Sequence, residues 1–264
     1  MPAVVKRCLL VLVAFALFPP TAAAQPDSGI ARPNGEQGLS LQELGSQLYA
    51  PNCSSCHGID GRGVKLPRTG AGSAKAAGPA LRGVGAQAVD FYLRTGYMPL
   101  SSPDQQPSRR RPQFSEREIR ALTAYVASLK PGPPIPRLPR GQANVAEGLT
   151  LFTDHCAGCH QVAAQGGVAT GAKVPPLDDA TPEQIAEAVR IGPYVMPKFP
   201  KSQISDAELA SIVAYVRRTQ HPVNRGGWGI GNIGPVPEGM VTWLIAAAAF
   251  IGVCLLIGER RRRA

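Results

Sequence analysis

Apolar residues at helical spacing follow two matching signals for the start of a helix, and they predict two copies of one amphipathic helix. Ser-Glu-Arg-Glu at 115–118 and Ser-Asp-Ala-Glu at 205–208 both have the spacing of a capping box. The segments that follow share the triplet Ala-Tyr-Val, at 124–126 and at 214–216, within an apolar stripe. We therefore expect an equivalent helix to close each half of the folded chain.

The repeat extends to a helix that precedes each of these segments. Each copy places a glycine and an aromatic residue eight and four positions before a cysteine: Gly45, Tyr49 and Cys53 in the first copy, and Gly148, Phe152 and Cys156 in the second. A glycine on this first helix would let the closing helix cross it at close range, with the aromatic ring packed beside the contact. A repeat of this length indicates a duplicated domain rather than a solenoid.

Segments rich in proline and glycine set the expected domain boundaries. Five prolines within 131–140 cannot continue a helix and favour a stiff, extended linker. The predicted fold class is mainly α, with two tandem domains of the same kind. The expected parts are a flexible tether at 25–38, the first domain at 39–130, the linker at 131–140, the second domain at 141–222 and a Gly/Pro-rich connector at 223–239.

The N-terminal 24 residues have the pattern of an export signal. Lys6 and Arg7 precede the apolar stretch Cys8–Phe18, and three alanines at 22–24 resemble a cleavage site. The apolar stretch is short for a membrane span. A cleaved signal is expected, with an uncleaved anchor as the alternative.

A longer apolar stretch near the C-terminus predicts a transmembrane helix at 240–258. It contains no charged residue and would extend about 28 Å as a helix. The basic tail at 259–264 would remain in the cytoplasm by the positive-inside rule, which places both domains on the extracytoplasmic side of the cell membrane. The alternative is a buried helix of a soluble protein.

Two five-residue motifs carry the chemistry of the chain: Cys53-Ser-Ser-Cys56-His57 and Cys156-Ala-Gly-Cys159-His160. C-x-x-C-H is the attachment signature of a c-type haem, in which two thiols form thioethers to one porphyrin and the adjacent His binds the iron. A zinc knuckle, a thioredoxin-like redox pair and a structural disulfide are the alternatives. Two copies, each followed by a further candidate iron ligand, favour two covalently bound haem c groups.

The expected sixth iron ligands are two methionines. Met98-Pro99 follows the first motif and Met196-Pro197 follows the second, at matching places before the closing helices. His/Met ligation raises the haem potential, which suits an electron carrier. Because both axial positions would be filled, this arrangement argues against a dihaem peroxidase, which needs an iron with a removable ligand.

Prolines lie between each motif and its methionine, in Gly78-Pro79 and Pro175-Pro176. A backbone carbonyl at these places could accept the outer N–H of the ligating His and fix its tautomer. The alternative is that these prolines only punctuate the loops.

The net charge of +10 is unevenly distributed. Residues 25–140 hold 15 Lys and Arg against 8 Asp and Glu, whereas residues 141–236 hold 7 against 8. The sequence has no nucleic-acid motif and its arginines lie in Pro-rich loops, so we expect no nucleic-acid partner. The run Arg109–Arg111 is either a solvated turn or a docking contact for an acidic partner.

Longer sequence matches identify a family resemblance from about residue 39 to residue 260. They are Cys-Ser-Ser-Cys-His-Gly at 53–58, Gly-Pro-Ala-Leu-Arg-Gly-Val-Gly at 78–85, Arg-Thr-Gly-Tyr-Met-Pro-Leu at 94–100, Gly-Pro-Tyr-Val-Met-Pro-Lys-Phe at 192–199, and the Gly-rich approach to the last helix at 226–239. With them, the chain resembles the dihaem cytochrome c subunits of actinobacterial cytochrome bc complexes, the menaquinol–cytochrome c reductases.

The resemblance implies two tandem class I cytochrome c-like domains and one C-terminal transmembrane helix. It implies that the first haem takes electrons from the Rieske iron–sulfur subunit, beside a cytochrome b subunit. The second haem would pass them to a haem–copper oxidase within one respiratory assembly, so the chain would be an electron-transfer subunit of a translocase.

Carried over by position, the ligands would be Cys53, Cys56, His57 and Met98, then Cys156, Cys159, His160 and Met196. The dihaem subunit of a cbb-type oxidase is the alternative family. Its anchor is N-terminal, whereas the clear anchor here is C-terminal.

Overall fold

The computed structural model describes residues 29–64, 78–100, 107–139, 141, 143–169, 171–221 and 235–263. These residues form mostly helices, which confirms the predicted mainly α fold. The chain divides into a unit that ends at Thr219, which contains both predicted domains, and a unit that begins at Gln220 and contains the C-terminal helix. The predicted export signal lies outside the described residues.

Within its described residues, the first domain has four helices. They are α1 (Leu41–Asn52), α2 (Ser54–His57), α3 (Gly85–Arg94) and α4 (Glu116–Leu129). Helices α1 and α4 pack together and bury a core that includes Leu44, Leu48, Tyr49, Leu122 and Val126.

The second domain repeats this order and adds a small hairpin. Its elements are α5 (Val145–His155), α6 (Ala157–His160), β1 (Gly167–Ala169), β2 (Ala172–Val174), α7 (Pro182–Ile191) and α8 (Asp206–Gln220). Strands β1 and β2 are antiparallel, with Val168 opposite Lys173. Strands of three residues leave almost no periodic signal in a sequence, so this hairpin could not be predicted.

The predicted glycine crossings are present in both domains. A methyl group at Gly45 would overlap the backbone carbonyl of Ala121 on α4, and one at Gly148 would overlap the carbonyl of Ser211 on α8. Only glycine therefore allows the first and closing helices to approach to this distance. This contact fixes the frame on which each motif is carried.

Aromatic pairs lie beside both crossings, as predicted. The ring centroids of Tyr49 and Tyr125 are 5.2 Å apart, and those of Phe152 and Tyr215 are 5.3 Å apart, with interplanar angles of 51° and 52°. The hydroxyl of Tyr49 donates to Gly58 O at 2.8 Å. In the second domain Phe152 has no hydroxyl. The corresponding donor is Tyr215 on the closing helix, whose hydroxyl donates to Val162 O at 2.6 Å.

Both predicted capping boxes start the closing helices. The amide of Glu118 donates to Ser115 Oγ, and the amide of Glu208 donates to Ser205 Oγ at 3.2 Å. The two carboxylates accept from the serine amides in return. These hydrogen bonds satisfy amides that a helix start otherwise leaves unpaired.

Residues 29–39 lie against the first domain, although the sequence suggested a flexible tether up to residue 38. Arg32 Nε donates to the carboxylate of Glu118 at 2.7 Å, and the amide of Ala31 donates to Asn52 Oδ1 at 2.9 Å. Arg117 donates to the carbonyls of Glu36 and Leu39. Composition could not show these contacts, since their partners are distant in sequence.

The start of the Pro-rich linker also packs onto the first domain. The amide of Gln87 on α3 donates to Pro133 O at 3.3 Å, and a methyl group at Gly132 would overlap the carbonyl of Gly83. Leu138 packs against the core of the second domain. Both ends of the described linker are therefore held.

Helices α3 and α7 bring the two domains into contact. Gln87 Nε2 donates to Glu187 O across the interface at 3.5 Å. Arg109 Nη2 donates to Asp179 O and to Gln184 Oε1, both at 2.9 Å. The guanidinium of Arg109 thus joins the domains, which neither sequence interpretation of this arginine run anticipated.

Helix α9 (Pro235–Arg263) is the part described in the C-terminal unit. Residues Gly239–Arg262 are long and apolar enough to cross a membrane, and most of their side chains are exposed, including Trp243. A soluble helix of this composition would bury its apolar surface, so exposure argues against the buried-helix alternative. The helix fits a single membrane span.

Candidate haem sites

Each C-x-x-C-H motif sits at the junction of the first helix with a single helical turn. The amide of Cys53 donates to Tyr49 O at 2.9 Å and ends α1, and the amide of His57 donates to Cys53 O at 3.0 Å and closes α2. In the second domain, Cys156 and His160 make the same two bonds at 2.8 and 2.9 Å. Both motifs therefore have one backbone geometry.

The predicted proline carbonyls orient both histidines. His57 Nδ1 lies 2.8 Å from Pro79 O, and His160 Nδ1 lies 3.3 Å from Pro175 O. Because a carbonyl can only accept, each Nδ1 carries the proton, and Nε2 keeps the lone pair that binds a metal. The carbonyls thus favour the tautomer that an axial ligand needs, and both predicted histidine-to-proline contacts are present.

In each domain, the first cysteine of the motif and the predicted methionine ligand pack against the same core. Cys53 and Met98 both pack against the core of the first domain, and Cys156 and Met196 both pack against the core of the second. All four are partly buried. Folding therefore brings each methionine to the domain that carries its own motif.

The first thiol of each motif does not have the lowered pKa of a redox dithiol. Burial raises the pKa of the Cys53 thiol to about 12, with a further contribution from Cys56, and burial raises the pKa of the Cys156 thiol to about 11. A redox dithiol needs a lowered pKa. Cys56 and Cys159 are not in disulfides, and among the described residues no group of three or more His, Cys, Asp or Glu side chains could hold a metal ion.

A third histidine, His155, directly precedes the second motif. His155 is exposed and its ring packs edge-on against Phe199, with centroids 6.0 Å apart. Exposure and an aromatic contact are the features of a surface side chain.

A buried carboxyl at the domain interface was not found from the sequence. Glu187 on α7 is fully buried, and neither of its carboxylate oxygens has a hydrogen-bond partner among the described residues. Burial raises the pKa of Glu187 to about 8, the charge of Asp90 raises it further, and Arg94 acts in the opposite direction. Asp90 is itself 4% exposed. The sequence carried no signal for this burial, because Glu187 is two positions from both Ile185 and Val189 and so does not share their apolar face.

The donor set fits covalent haem attachment in each domain. A pair of unbridged thiols, an adjacent histidine with its outer N–H already bonded, and a thioether on the same core together match the ligands of a c-type haem. When bound, haem supplies one-electron redox chemistry that no side chain of this chain provides.

Comparison with protein families assigns both domains. Residues 42–130 match the model for cytochrome c, and residues 143–216 match that for subunit III of cbb3-type cytochrome c oxidase. The two domains are therefore cytochrome c domains, which implies covalently bound haem c.

Relatives aligned over 90–96% of this chain share one description, cytochrome bc1 complex cytochrome c subunit. The protein from Corynebacterium diphtheriae is 34% identical over 90% of this chain and 87% of its own length. Those from Mycobacterium leprae and Mycobacterium bovis are each 35% identical over 96% of this chain and cover 87% and 90% of their own lengths. Similarity at this level over nearly the whole length places the chain in the family of cytochrome c subunits of cytochrome bc1 complexes.

Proposed function

We propose that this subunit carries two covalent haem c groups and relays electrons through them in series. The first would be held by Cys53, Cys56, His57 and Met98, and the second by Cys156, Cys159, His160 and Met196. The observation that carries this proposal is the recurrence of one complete donor set in each of two cytochrome c domains. In both domains the set has the same backbone bonds and the same histidine-to-proline contact.

The proposed electron path runs from a Rieske iron–sulfur subunit to the first domain, then to the second domain, and then to a haem–copper oxidase. A menaquinol-oxidising complex with a cytochrome b subunit would supply the electrons, and the chain would act as one subunit of that translocase. The description of the relatives as cytochrome c subunits of cytochrome bc1 complexes supports a place for the chain in such a complex. Contact between α3 and α7 supports direct transfer between the domains.

We further propose that both cytochrome domains lie outside the cytoplasmic membrane. The arginines that follow the apolar part of α9 would stay in the cytoplasm. Cytochrome c maturation outside that membrane would then require the N-terminal segment to direct export. A tag at the C-terminus that is accessible from the outside of intact cells would contradict this orientation.

Two measurements on the purified subunit test the haem assignment. A pyridine haemochrome assay should give two haems per polypeptide, and one haem per polypeptide would contradict the proposal. Met98→Ala and Met196→Ala should each lower the midpoint potential of one haem and open that iron to carbon monoxide. Variants with unchanged spectra would show that the methionines are not ligands.

A subunit of a cbb-type oxidase is the second candidate, because the second domain matches subunit III of that enzyme. The candidates differ in their partners. Purification from membranes in mild detergent should recover cytochrome b and Rieske subunits with the chain. Recovery of a cbb-type catalytic subunit in their place would favour the second candidate.

A further inference from the structure

Each domain has an arginine at the end of the helix that precedes its methionine. Arg94 lies in the last turn of α3 and Arg190 lies in the last turn of α7. Two residues after each arginine is a glycine with positive φ, Gly96 and Gly192, at the start of the segment that carries the methionine. The two arginines therefore hold equivalent positions beside the two methionine segments.

In the second domain the arginine binds the methionine segment directly. Arg190 Nη1 donates to Phe199 O at 3.0 Å and to Ile204 O at 2.7 Å, and its Nη2 donates to Asp206 Oδ1 at 2.8 Å. Its side chain is 8% exposed. The guanidinium thus connects α7, the segment after Met196 and the first residue of α8.

Phe199 is the point at which this segment is held most firmly. Its amide donates to Val189 O at 2.9 Å, its carbonyl accepts from Arg190, and its side chain is 6% exposed. Met196 lies three residues earlier, and its own amide donates to Pro193 O at 3.0 Å. The backbone on either side of Met196 is therefore fixed to α7 and to a local turn.

In the first domain the equivalent arginine holds only the ends of the segment. Arg94 Nε donates to Asp90 Oδ2 at 2.6 Å, and both terminal nitrogens donate to the carboxylate of Glu116, the first residue of α4. The side chain of Glu116 is 60% exposed. Within the described part of the methionine segment, Arg94 donates to no backbone carbonyl.

We propose that Arg190 is a positioning residue for Met196 as an axial ligand, and that Arg94 is a weaker counterpart for Met98. This inference rests on the proposed ligand set. Arg190 acts through the backbone of the methionine segment and does not itself bind the iron.

The difference between the domains follows from burial and from the type of acceptor. Hydrogen bonds from a buried guanidinium to backbone carbonyls are charge-assisted, and removing the donor leaves those carbonyls unsatisfied. The segment would then lose its fixed attachment at Phe199. A solvent-exposed ion pair such as that of Arg94 with Glu116 contributes little by comparison.

The test uses the full-length haem-loaded chain in detergent. Arg190→Gln should weaken the methionine-to-iron charge-transfer band of one haem, lower the midpoint potential of that haem, and raise its carbon monoxide-binding fraction about tenfold. Arg190→Lys keeps the charge and one donor and should restore part of the wild-type spectrum. Arg94→Gln should change the other haem, and by less.

Asp206→Asn is the matched control for Arg190. It removes the ion pair but leaves the bonds from Arg190 to the two carbonyls, so its spectrum and carbon monoxide binding should stay close to wild type. If Arg190 had only a structural role, Arg190→Gln would lower the free energy of unfolding and leave the native spectrum unchanged. Met196→Ala, measured in parallel, identifies which spectral changes belong to the second haem.

The outcomes separate the two proposals. If Met196→Ala opens a haem and both Arg190 variants retain the wild-type band and potential, the positioning role is wrong and the ligand assignment stands. If Met196→Ala changes nothing, the ligand assignment is wrong and the inference falls with it. If Arg190→Gln fails to take up haem, Arg190→Lys decides, since an unchanged band in that variant contradicts the positioning role.

Discussion

Glu187 gives the sharpest prediction, because its burial makes the stability of the second domain depend on pH. The side chain is fully buried at the domain interface and its oxygens have no partner among the described residues. Three charged groups act on it: Asp90 and Arg94 from α3 and Glu183 from its own helix. Burial and the two carboxylates raise its pKa to about 8, and Arg94 only partly opposes them.

The sign follows from proton binding in the two states. Between the ordinary pKa of 4.5 and about 8, the folded chain keeps the proton on Glu187 and the unfolded chain does not. The free energy of unfolding therefore falls as the pH rises through this window. At about 1.4 kcal/mol per pH unit, the loss from Glu187 between about pH 5.5 and pH 8.5 is roughly 3 kcal/mol at most.

Glu187→Gln removes the titrating group and keeps the shape of the side chain. Urea unfolding of the full-length protein in detergent, followed by circular dichroism at several pH values, measures the effect. The variant should lose this part of the pH dependence and should be more stable than wild type near pH 8.5. Asp154→Asn removes an exposed carboxylate in the same domain that is not among the groups acting on Glu187, so this control should leave the slope almost unchanged.

The reasoning would be refuted by parallel pH profiles for the wild type and Glu187→Gln. It would also be refuted if the variant were destabilised equally at pH 5.5 and at pH 8.5. That second result would mean that the carboxyl is ionised in the folded state over the whole range.

Four further substitutions test the two helix crossings, the contact between the domains and the ion pair of Arg32. Gly45→Ala and Gly148→Ala should each lower the free energy of unfolding by about 1–3 kcal/mol or more, because the added methyl overlaps a backbone carbonyl, whereas Gly38→Ala has open space and should have little effect. Thermal unfolding monitored by circular dichroism compares them. Arg109→Gln should slow electron transfer between the two haems, measured by rapid-mixing absorption, because it removes two interdomain hydrogen bonds; unchanged transfer would show that the contact is dispensable. Arg32→Gln should destabilise the first domain by about 1–3 kcal/mol, since it leaves a buried carboxylate without its cation, and equal urea midpoints would contradict this.

The features that the sequence predicted are those whose signals are close together along the chain. Capping boxes, C-x-x-C-H motifs and the glycine-plus-aromatic spacing each lie within a few residues. The proline carbonyls are the most distant of these signals, since they follow the motif histidine by 22 positions in the first domain and by 15 in the second. Duplication strengthened every one of these signals, because a chance pattern rarely occurs twice at matching places.

The features that the sequence did not predict are contacts between residues that are distant along the chain. Arg32 binds a carboxylate 86 positions away, and Arg109 binds a side chain 75 positions away in the other domain. Arginines in Pro-rich segments look like solvated residues until their partners are known. Glu187 was missed for a related reason, since its burial is created by a neighbouring domain and not by its own helix.

The attachment of the linker limits how far the cytochrome domains could separate if their interface opened. The bond from the amide of Gln87 to Pro133 O ties the start of the linker to the first domain. Asn144, which caps α5, is the first residue after the linker that is fixed in the second domain. The ten residues 134–143 span at most about 36 Å when fully extended. One domain would therefore remain at an effective concentration in the millimolar range around the other. Even a weak interface would re-form rapidly at that concentration. Occasional opening to reach a partner would therefore delay electron transfer between the domains only briefly.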